Sequence, residues 1–240
     1  SQLKTAKQID VVKNEFVFII SNKLRQPILS LLNYLKAALK AGEQQLSPDI
    51  FDLLKKTNDN AERLGSLVND LSDLSRIESQ KLKLSLQEVN LNQLIGATLS
   101  DFSMSAAEKN IKLIYQPNFE TIIVSADPSR LHEILANLID NAIKYSPSNT
   151  QVTVGFSKEE DQAVTFVRDS GFGIPEEAKV HLFEKFYRVN RSSSEPKGTG
   201  LGLFVTKELV ERQDGKIWFD SQVGRGTTFY FTLSLRKQEK

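Results

Sequence analysis

No cysteine occurs among the 240 residues, so neither a disulfide nor a thiolate metal site can hold this chain together. The absence suits a reducing compartment without establishing one. Nor is there an apolar run approaching the roughly 18 residues that a membrane span needs, and the first residues lack the pattern of a signal peptide. The chain opens inside a helical pattern, as a fragment of a longer protein does. Any sensor or membrane anchor of the parent is expected upstream, and this part is expected in the cytoplasm. No sign of charge dominates: 31 basic side chains face 30 acidic ones, a formal net charge of +1. Without a global field, nucleic acid and acidic membrane surfaces are demoted as partners. Histidine is scarce, with His132 and His181 alone, and tandem repeats and low-complexity tracts are missing. What is present is the balance of a soluble globular chain, 40% hydrophobic and 25% charged, long enough for one large domain or two ordinary ones.

Two periodicities divide it. Through residue 80 the pattern is helical. Ile9, Val12, Phe16, Ile20, Leu24, Leu31, Leu35 and Leu39 recur at spacings that lay an apolar stripe on one face. Ala41-Gly42 ends the pattern, and Ser47-Pro48-Asp49 restarts it, with Ser47 as N-cap and Pro48 at the first helical position. A second stripe runs through Leu53, Leu54, Thr57, Ala61, Leu64, Leu67, Leu71 and Leu74. Each helix is about 45 Å long at ~1.5 Å per residue, and two in a hairpin cannot cover both stripes. A second copy completing a dimeric four-helix bundle solves this economically; packing on the rest of the same chain is the other solution.

After Glu78 strands alternate with helices. Lys81 to Leu86 reads as a short strand, Leu91 to Lys109 as an amphipathic helix, and Ile111 to Tyr115 and Thr121 to Val124 as strands. Asp127-Pro128 opens a helix to about Tyr145. Gln151 to Phe156 and Ala163 to Arg168 alternate as half-buried strands. A helix near Glu176 to Phe186, a polar loop Asn190 to Lys197, a helix Gly202 to Gln213 and strands Lys216 to Ser221 and Thr227 to Leu235 complete the order. Strands pairing as hairpins under helices on one face give an α+β fold. The expected division is a helical hairpin over 1–80, a linker or first strand over 81–88, and a second domain over 89–240.

Three clusters carry chemistry. Asn137 and Asn141 are four apart and share a helix face, with Lys144 beside it and the flat ring of Tyr145 following. Amide oxygens suit Mg2+, and a lysine meets phosphate as a point charge; in isolation they read equally well as surface residues. Asp169-Ser170-Gly171-Phe172-Gly173 follows an apolar strand. A carboxylate there can accept a hydrogen bond from an adenine amino group, and Gly171 and Gly173 let the backbone come close; alone, the string is an ordinary turn. Lys197-Gly198-Thr199-Gly200-Leu201-Gly202-Leu203 opens a helix after the polar loop. Its glycines free backbone N–H groups for phosphate oxygens, and the helix N-terminus adds partial positive charge. It is neither a Walker loop, lacking a closing G-K-[ST], nor a Rossmann fingerprint, lacking a strand before it.

In this order the three resemble the N box and two glycine boxes of the GHKL ATPase superfamily, which joins histidine kinases to gyrase, MutL and a heat-shock chaperone. Phe183 to Arg188 resembles its F box, and the segment from 188 to 200 its ATP lid. The resemblance implies a Bergerat-type α/β sandwich that takes ATP and Mg2+. Asp169 would read adenine, Asn141 with Asn137 would hold Mg2+, and Lys144 and Arg188 would meet phosphates. Tyr145, Gly171 and Gly173 would border the base, while Gly198, Thr199, Gly200, Leu201, Gly202 and Leu203 would supply the lid backbone. Hydrolysing members carry glutamate at the first N-box position. This chain has Asn137, and an amide accepts no proton near neutral pH, so a kinase is implied rather than an ATPase. Glu133, one turn earlier, reads as a surface residue.

Phe16 to Leu29, F-V-F-I-I-S-N-K-L-R-Q-P-I-L, resembles the H box of sensor histidine kinases, with Pro27 at the family proline. The resemblance implies a homodimeric hairpin that presents a phosphorylatable histidine and relays phosphate to a response-regulator receiver domain. The acceptor position is Asn22, its acidic neighbour is Lys23, and the Thr/Asn position is Gln26. An amide nitrogen has its lone pair delocalised and does not attack a phosphoryl group, so autophosphorylation at residue 22 is expected to be absent. Lys23 cannot act as a base there, and Gln26 keeps an amide able to orient water. His132 and His181 read as surface residues. Asn22 is either a substitution introduced at the acceptor or the mark of a natural pseudokinase, an ATP-responsive scaffold. A true ATPase is the third reading.

Overall fold

A computed structural model describes residues 2–42, 46–78, 82–117, 121–189 and 199–236, and at some positions of the first two helices, Asn22 among them, the backbone alone. The described elements are α1 (Gln2–Gly42), α2 (Pro48–Glu78), β1 (Gln87–Asn90), α3 (Leu91–Asp101), α4 (Ser103–Glu108), β2 (Lys112–Gln116), β3 (Ile123–Ala126), α5 (Pro128–Tyr145), β4 (Gln151–Glu159), β5 (Gln162–Asp169), α6 (Glu176–Lys179), α7 (Gly202–Glu211), β6 (Ile217–Gln222) and β7 (Gly226–Ser234). They fall into two units, Ser1–Leu82 and Lys83–Lys240.

The first unit is the expected hairpin. α1 runs uninterrupted through Pro27, and α2 starts at Pro48, where Phe51 N donates to Ser47 O at 3.0 Å. Gly65 faces α1, where a Cβ would stand in ordinary contact, 3.4 Å from Ile28 Cγ2. Arg25 Nε donates to Asn69 Oδ1 at 3.1 Å, and Lys36 pairs with Glu62 at 3.1 Å. Ile28, Ala61 and Val68 are buried between them. Leu24, Leu31, Leu53 and Leu64, all on the stripes read from the sequence, keep 43–65% of their surface exposed. One hairpin alone does not cover its apolar faces.

The second unit is a two-layer α+β sandwich. Its five-stranded sheet has the order β2-β4-β5-β7-β6; β1 and β3 form a separate antiparallel pair. Ala163, Thr165 and Val167 of β5 pair with Leu233, Phe231 and Phe229 of β7, so these side chains share the face on which α5 and α7 pack. α5 buries Leu131, Ile134, Leu135, Leu138 and Ile139 against it. The opposite face is more open: Trp218 stacks on Tyr230 at 5.4 Å and remains 39% exposed.

Several expected elements shift. The strand read over Lys81 to Leu86 lies instead at β1, and the one read over Thr121 to Val124 at β3, because a ladder needs a partner and the pairing register is Gln87↔Ala126 to Asn90↔Ile123. Among residues 82–86, Ser85 N donates to the Asp127 carboxylate at 2.9 Å rather than to a strand. The helix read over Leu91 to Lys109 breaks at Phe102, whose N–H turns back to Leu99 O at 3.2 Å while Ser103 Oγ takes Ser100 O at 2.8 Å. The helix read from Glu176 to Phe186 lasts four residues as α6; beyond it the backbone closes three-residue turns, His181 N to Ala178 O at 3.2 Å and Glu184 N to His181 O at 2.8 Å, and Phe186 turns at φ +62°. α7 ends at Glu211, and the chain leaves it through Asp214 at φ +57°. The early strands do not pair as hairpins: β1 pairs with β3, and β2 runs parallel to β4. The loop Asn190 to Lys197 lies outside the described residues.

Asp127 joins these parts. Its Oδ1 accepts from Ser129 N (3.0 Å) and Arg130 N (3.2 Å) as the N-cap of α5, and its own N–H donates to the buried Gln213 at 2.8 Å. Asp127→Ala is expected to destabilise the second unit by about 2 kcal/mol, from a lost cap and an orphaned Ser85 N–H. Urea unfolding followed by the fluorescence of Trp218, the single tryptophan, should show an earlier transition; an unmoved midpoint would show that the cap holds nothing.

Candidate nucleotide site

The three clusters and the F-box segment meet in space. α5 carries Asn137 and Asn141 one turn apart, both half-buried. Asn137 Nδ2 donates to Thr206 Oγ1 of α7 at 2.5 Å, and its Oδ1 lies 2.6 Å from where a Cβ on Gly202 would stand. The first box is therefore pressed against the start of α7, and a side chain at 202 would displace the Asn137 amide. At the other end of α5, Tyr145 O accepts from Phe172 N at 3.4 Å and lies 2.6 Å from an imagined Cβ on Gly171. The first box thus also meets the second. Phe186 N donates to Gly200 O at 2.9 Å, and Gly200 has φ +74° against the Phe186 backbone, which ties the F-box segment to the third. Leu201 is buried, with its N–H on Thr199 Oγ1 at 3.1 Å.

Asp169 is 8% exposed at the end of β5. Its Oδ1 accepts from Gly171 N at 2.7 Å and from Thr227 N at 3.1 Å. Neither bond uses Oδ2, which keeps its acceptor capacity. Burial raises the carboxyl above the usual carboxylate range, and the two amides offset only part of that rise. A buried acid without a cationic partner is costly to a fold unless it is used.

The glycines of this loop have reasons within the protein. A Cβ on Gly173 (φ +69°) would stand 2.1 Å from Gln222 O, and one on Gly226 (φ +98°) 2.2 Å from Asp169 O. Close approach to a base is thus not the only constraint read in Gly171 and Gly173: chain packs on chain there. Ser221 Oγ braces the loop, accepting from Ile174 N at 2.8 Å and lying 2.8 Å from Thr227 Oγ1. The rings of Tyr145 and Phe172 are exposed beside it. A groove of about 430 Å3 also borders Asp169, lined by Arg168, Lys179, Asp220 and Arg225 among others. None of its lining residues belongs to α5 or to 199–203, so it is separate from the place where the boxes meet.

Lys144 is exposed and paired with Asp140 one turn back. Arg188 and Leu203 are placed, the first exposed and the second half-buried. Gly198 lies outside the described residues. Lys23 and Gln26 sit exposed on α1; Asn22 is on the same helix, its side chain outside the description. Glu133 is tied to Arg130 at 2.6 Å. His132 and His181 are at the surface, 3.0 Å from Asp101 and 2.9 Å from Glu184. Sequence reasoning missed Thr206 and Thr227. For Thr227 a signal exists, the Gly224-Arg225-Gly226 turn that starts β7 beside the end of β5; for Thr206 there is none.

Comparison with known proteins follows this geometry. Residues 12–80 match the model of the His Kinase A (phospho-acceptor) domain. Residues 126–237 match that of the histidine kinase-, DNA gyrase B- and HSP90-like ATPase. The sensor histidine kinase WalK of Bacillus subtilis (strain 168) is 31% identical over 239 residues, 98% of this chain and 38% of that protein. This chain thus spans less than half of that relative's length. Full-length ShkA, solved in complex with AMPPNP, is similar with a TM-score of 0.74 and 25% identity, over 94% of this chain and 47% of that one. The catalytic domain of the histidine kinase ThkA is 30% identical, with a TM-score of 0.56, over 63% of this chain and 96% of that domain. A phospho-acceptor hairpin followed by a gyrase-type ATP-binding fold, matched in that order along nearly the whole length, places the chain in the family of two-component sensor histidine kinases.

Proposed function

We propose that this chain is the ATP-binding core of a protein-histidine kinase acting in the cytoplasm, with the acceptor position filled by an amide. The observation that carries the reading is the buried Asp169 carboxylate, one oxygen fixed by two backbone amides and the other without a hydrogen bond among the described residues. That oxygen accepts the adenine amino group, with the exposed rings of Tyr145 and Phe172 beside the base. Lys144 turns from Asp140 toward phosphate. A surface ion pair holds it only weakly, by about 0–1 kcal/mol, so a triphosphate outcompetes Asp140. Arg188 and the backbone of 198–203, including Gly198, Thr199, Gly200, Leu201, Gly202 and Leu203, complete the phosphate cradle. AMPPNP in the ShkA complex supports a nucleotide in this fold.

Mg2+ fits the donor set. No cluster of three acidic, histidine or cysteine side chains occurs among the described residues, so an all-protein cage is not on offer. Two amide oxygens with substrate phosphates are what this hard ion accepts. Asn141 and Asn137 would hold it, and it would supply neutralisation of triphosphate charge. Asn137 gives its NH2 to Thr206, and its oxygen, packed on Gly202, would turn to the ion from there. Catalysis is then positioning and charge balance, as in phosphoryl transfer generally. Neither Asn137 nor the Arg130-paired Glu133 activates water, so ATP is spared for transfer.

The hairpin would dimerise through the leucines it leaves exposed and receive a response-regulator receiver domain; among the described residues no helix is long and apolar enough to cross a membrane. With Asn22 in place the transfer has no nucleophile. Asn22 also favours a second reading, an ATP-responsive scaffold without chemistry.

A fluorescent adenine nucleotide with Mg2+ should bind saturably, and Asp169→Asn should weaken it at least about tenfold, the lower end for a hydrogen bond to a charged group. Equal affinity in the variant contradicts the adenine assignment. In a separate assay, Asn22→His incubated with γ-labelled ATP should acquire an acid-labile label that the parent chain never shows. A revertant that binds ATP and stays unlabelled points to the scaffold.

A further inference from the structure

The last turn of a helix leaves four carbonyls without intrahelical donors. At the end of α5 one side chain takes two of them, together with the carbonyl of the C-cap residue Ser146. Lys109 Nζ donates to Ile143 O at 2.9 Å, to Lys144 O at 2.9 Å and to Ser146 O at 3.5 Å. The carbonyl between them, Tyr145 O, accepts from Phe172 N of the purine loop. Carbonyls 143 to 146 are thus divided between a lysine and the loop after β5.

Lys109 reaches them from far along the chain. It caps α4, where the backbone turns through Asn110 (φ +55°) into β2. Its own position is fixed from both sides: Lys109 N and Ile111 N both donate to Ala106 O, and Ala106 and Ile111 are buried. An ammonium at this end also meets the negative pole of the helix. Partial burial lowers its pKa from the ordinary lysine value, an effect that Asp140 opposes and Lys144 adds to. No box of the family contains it, and it lies outside the residues 126–237 matched to the ATPase model.

The consequence runs to the carboxylate. Tyr145 O stands where a Cβ on Gly171 would collide with it, and Gly171 N is a donor to Asp169 Oδ1. Moving the end of α5 therefore moves the loop, and moving the loop re-aims the acid. We propose that Lys109 is a positioning residue of the nucleotide site, which holds the end of α5 so that residues 171–172 keep the Asp169 carboxylate directed at the purine. The inference rests on reading Asp169 as the adenine acceptor.

The test compares the parent chain with Lys109→Met, which keeps the stem and loses charge and donors, and with Lys109→Arg, which keeps both. Affinities for ATP and GTP are measured well below each variant's unfolding temperature, with Tm recorded alongside. Lys109→Met is expected to lose at least about tenfold in ATP affinity, and to lose more for ATP than for GTP, with Lys109→Arg recovering most of the preference. A fall in Tm with ATP affinity and purine preference unchanged would mean a merely structural lysine and overturn the proposal. If Lys109→Met does not fold, Lys109→Gln, with a shorter neutral donor, should show the same loss of preference, and an unaltered preference in it overturns the proposal equally. A parent chain that binds no ATP overturns this inference with the function it rests on. A parent that binds, an Asp169→Asn that does not, and a Lys109→Met that matches the parent overturn this inference alone.

Discussion

An ionisable carboxyl lies buried at the end of β5 with no ion pair among the described residues, and much of the second unit is arranged around that fact. Asp169 would destabilise the fold if nothing met its charge. The fold answers with main chain: Gly171 N from the following loop and Thr227 N from the neighbouring strand. Those bonds require β7 to begin where β5 ends, which the register Arg168↔Thr228 provides. They also require Gly226 to pass within van der Waals reach of the Asp169 backbone, where no side chain fits. Two amides on one oxygen orient the carboxylate without saturating it. An acceptor held in this way loses little entropy on meeting a donor, which is what selective purine recognition needs.

The same economy appears along α5. Its buried face is plain core, and its exposed edge carries the amides and the lysine assigned to metal and phosphate. Both ends are fastened, by Asp127 at the start and by Lys109 at the finish. The middle is fastened through Asn137 to α7. A helix pinned at three points can present side chains to a ligand with little slack. The hairpin is built differently. Among the described residues its helices meet through Ile28, Ala61 and Val68 and through the Arg25–Asn69 and Lys36–Glu62 pairs, and it leaves leucines in water. A surface of that kind fits association with a second copy better than a rigid monomer.

The parts that sequence made legible were those in which local chemistry and fold agree. Asp127-Pro128 started a helix where it stood, because an N-cap acceptor and a fixed φ act within one turn, and α2 begins at Pro48 as read. The runs 151–156 and 163–168 gave β4 and β5, although the half-burial read from their alternation does not hold: 152–156 are buried on both faces. The boxes were legible because glycine and asparagine are demanded at fixed places. What could not be read depends on distant partners. Lys81 to Leu86 alternates as well as β1 does, yet only residues 87–90 find β3 opposite them. Phe186 adopts a left-handed backbone because Gly200, fourteen positions on, accepts its N–H. Lys109 reads as one more surface lysine until the end of α5 is laid beside it. Glycines 171 and 173 were read for a ligand; the chain itself already needs them.

The central claim is that the free oxygen of Asp169 accepts the adenine amino group. The most direct measurement compares ATP with purine riboside triphosphate, which differs only in lacking that amino group, on the unaltered chain with Mg2+. The account predicts that ATP binds at least about tenfold more tightly, since a hydrogen bond to a charged group is worth about 1.5–3 kcal/mol. Equal affinity for the two nucleotides would contradict it.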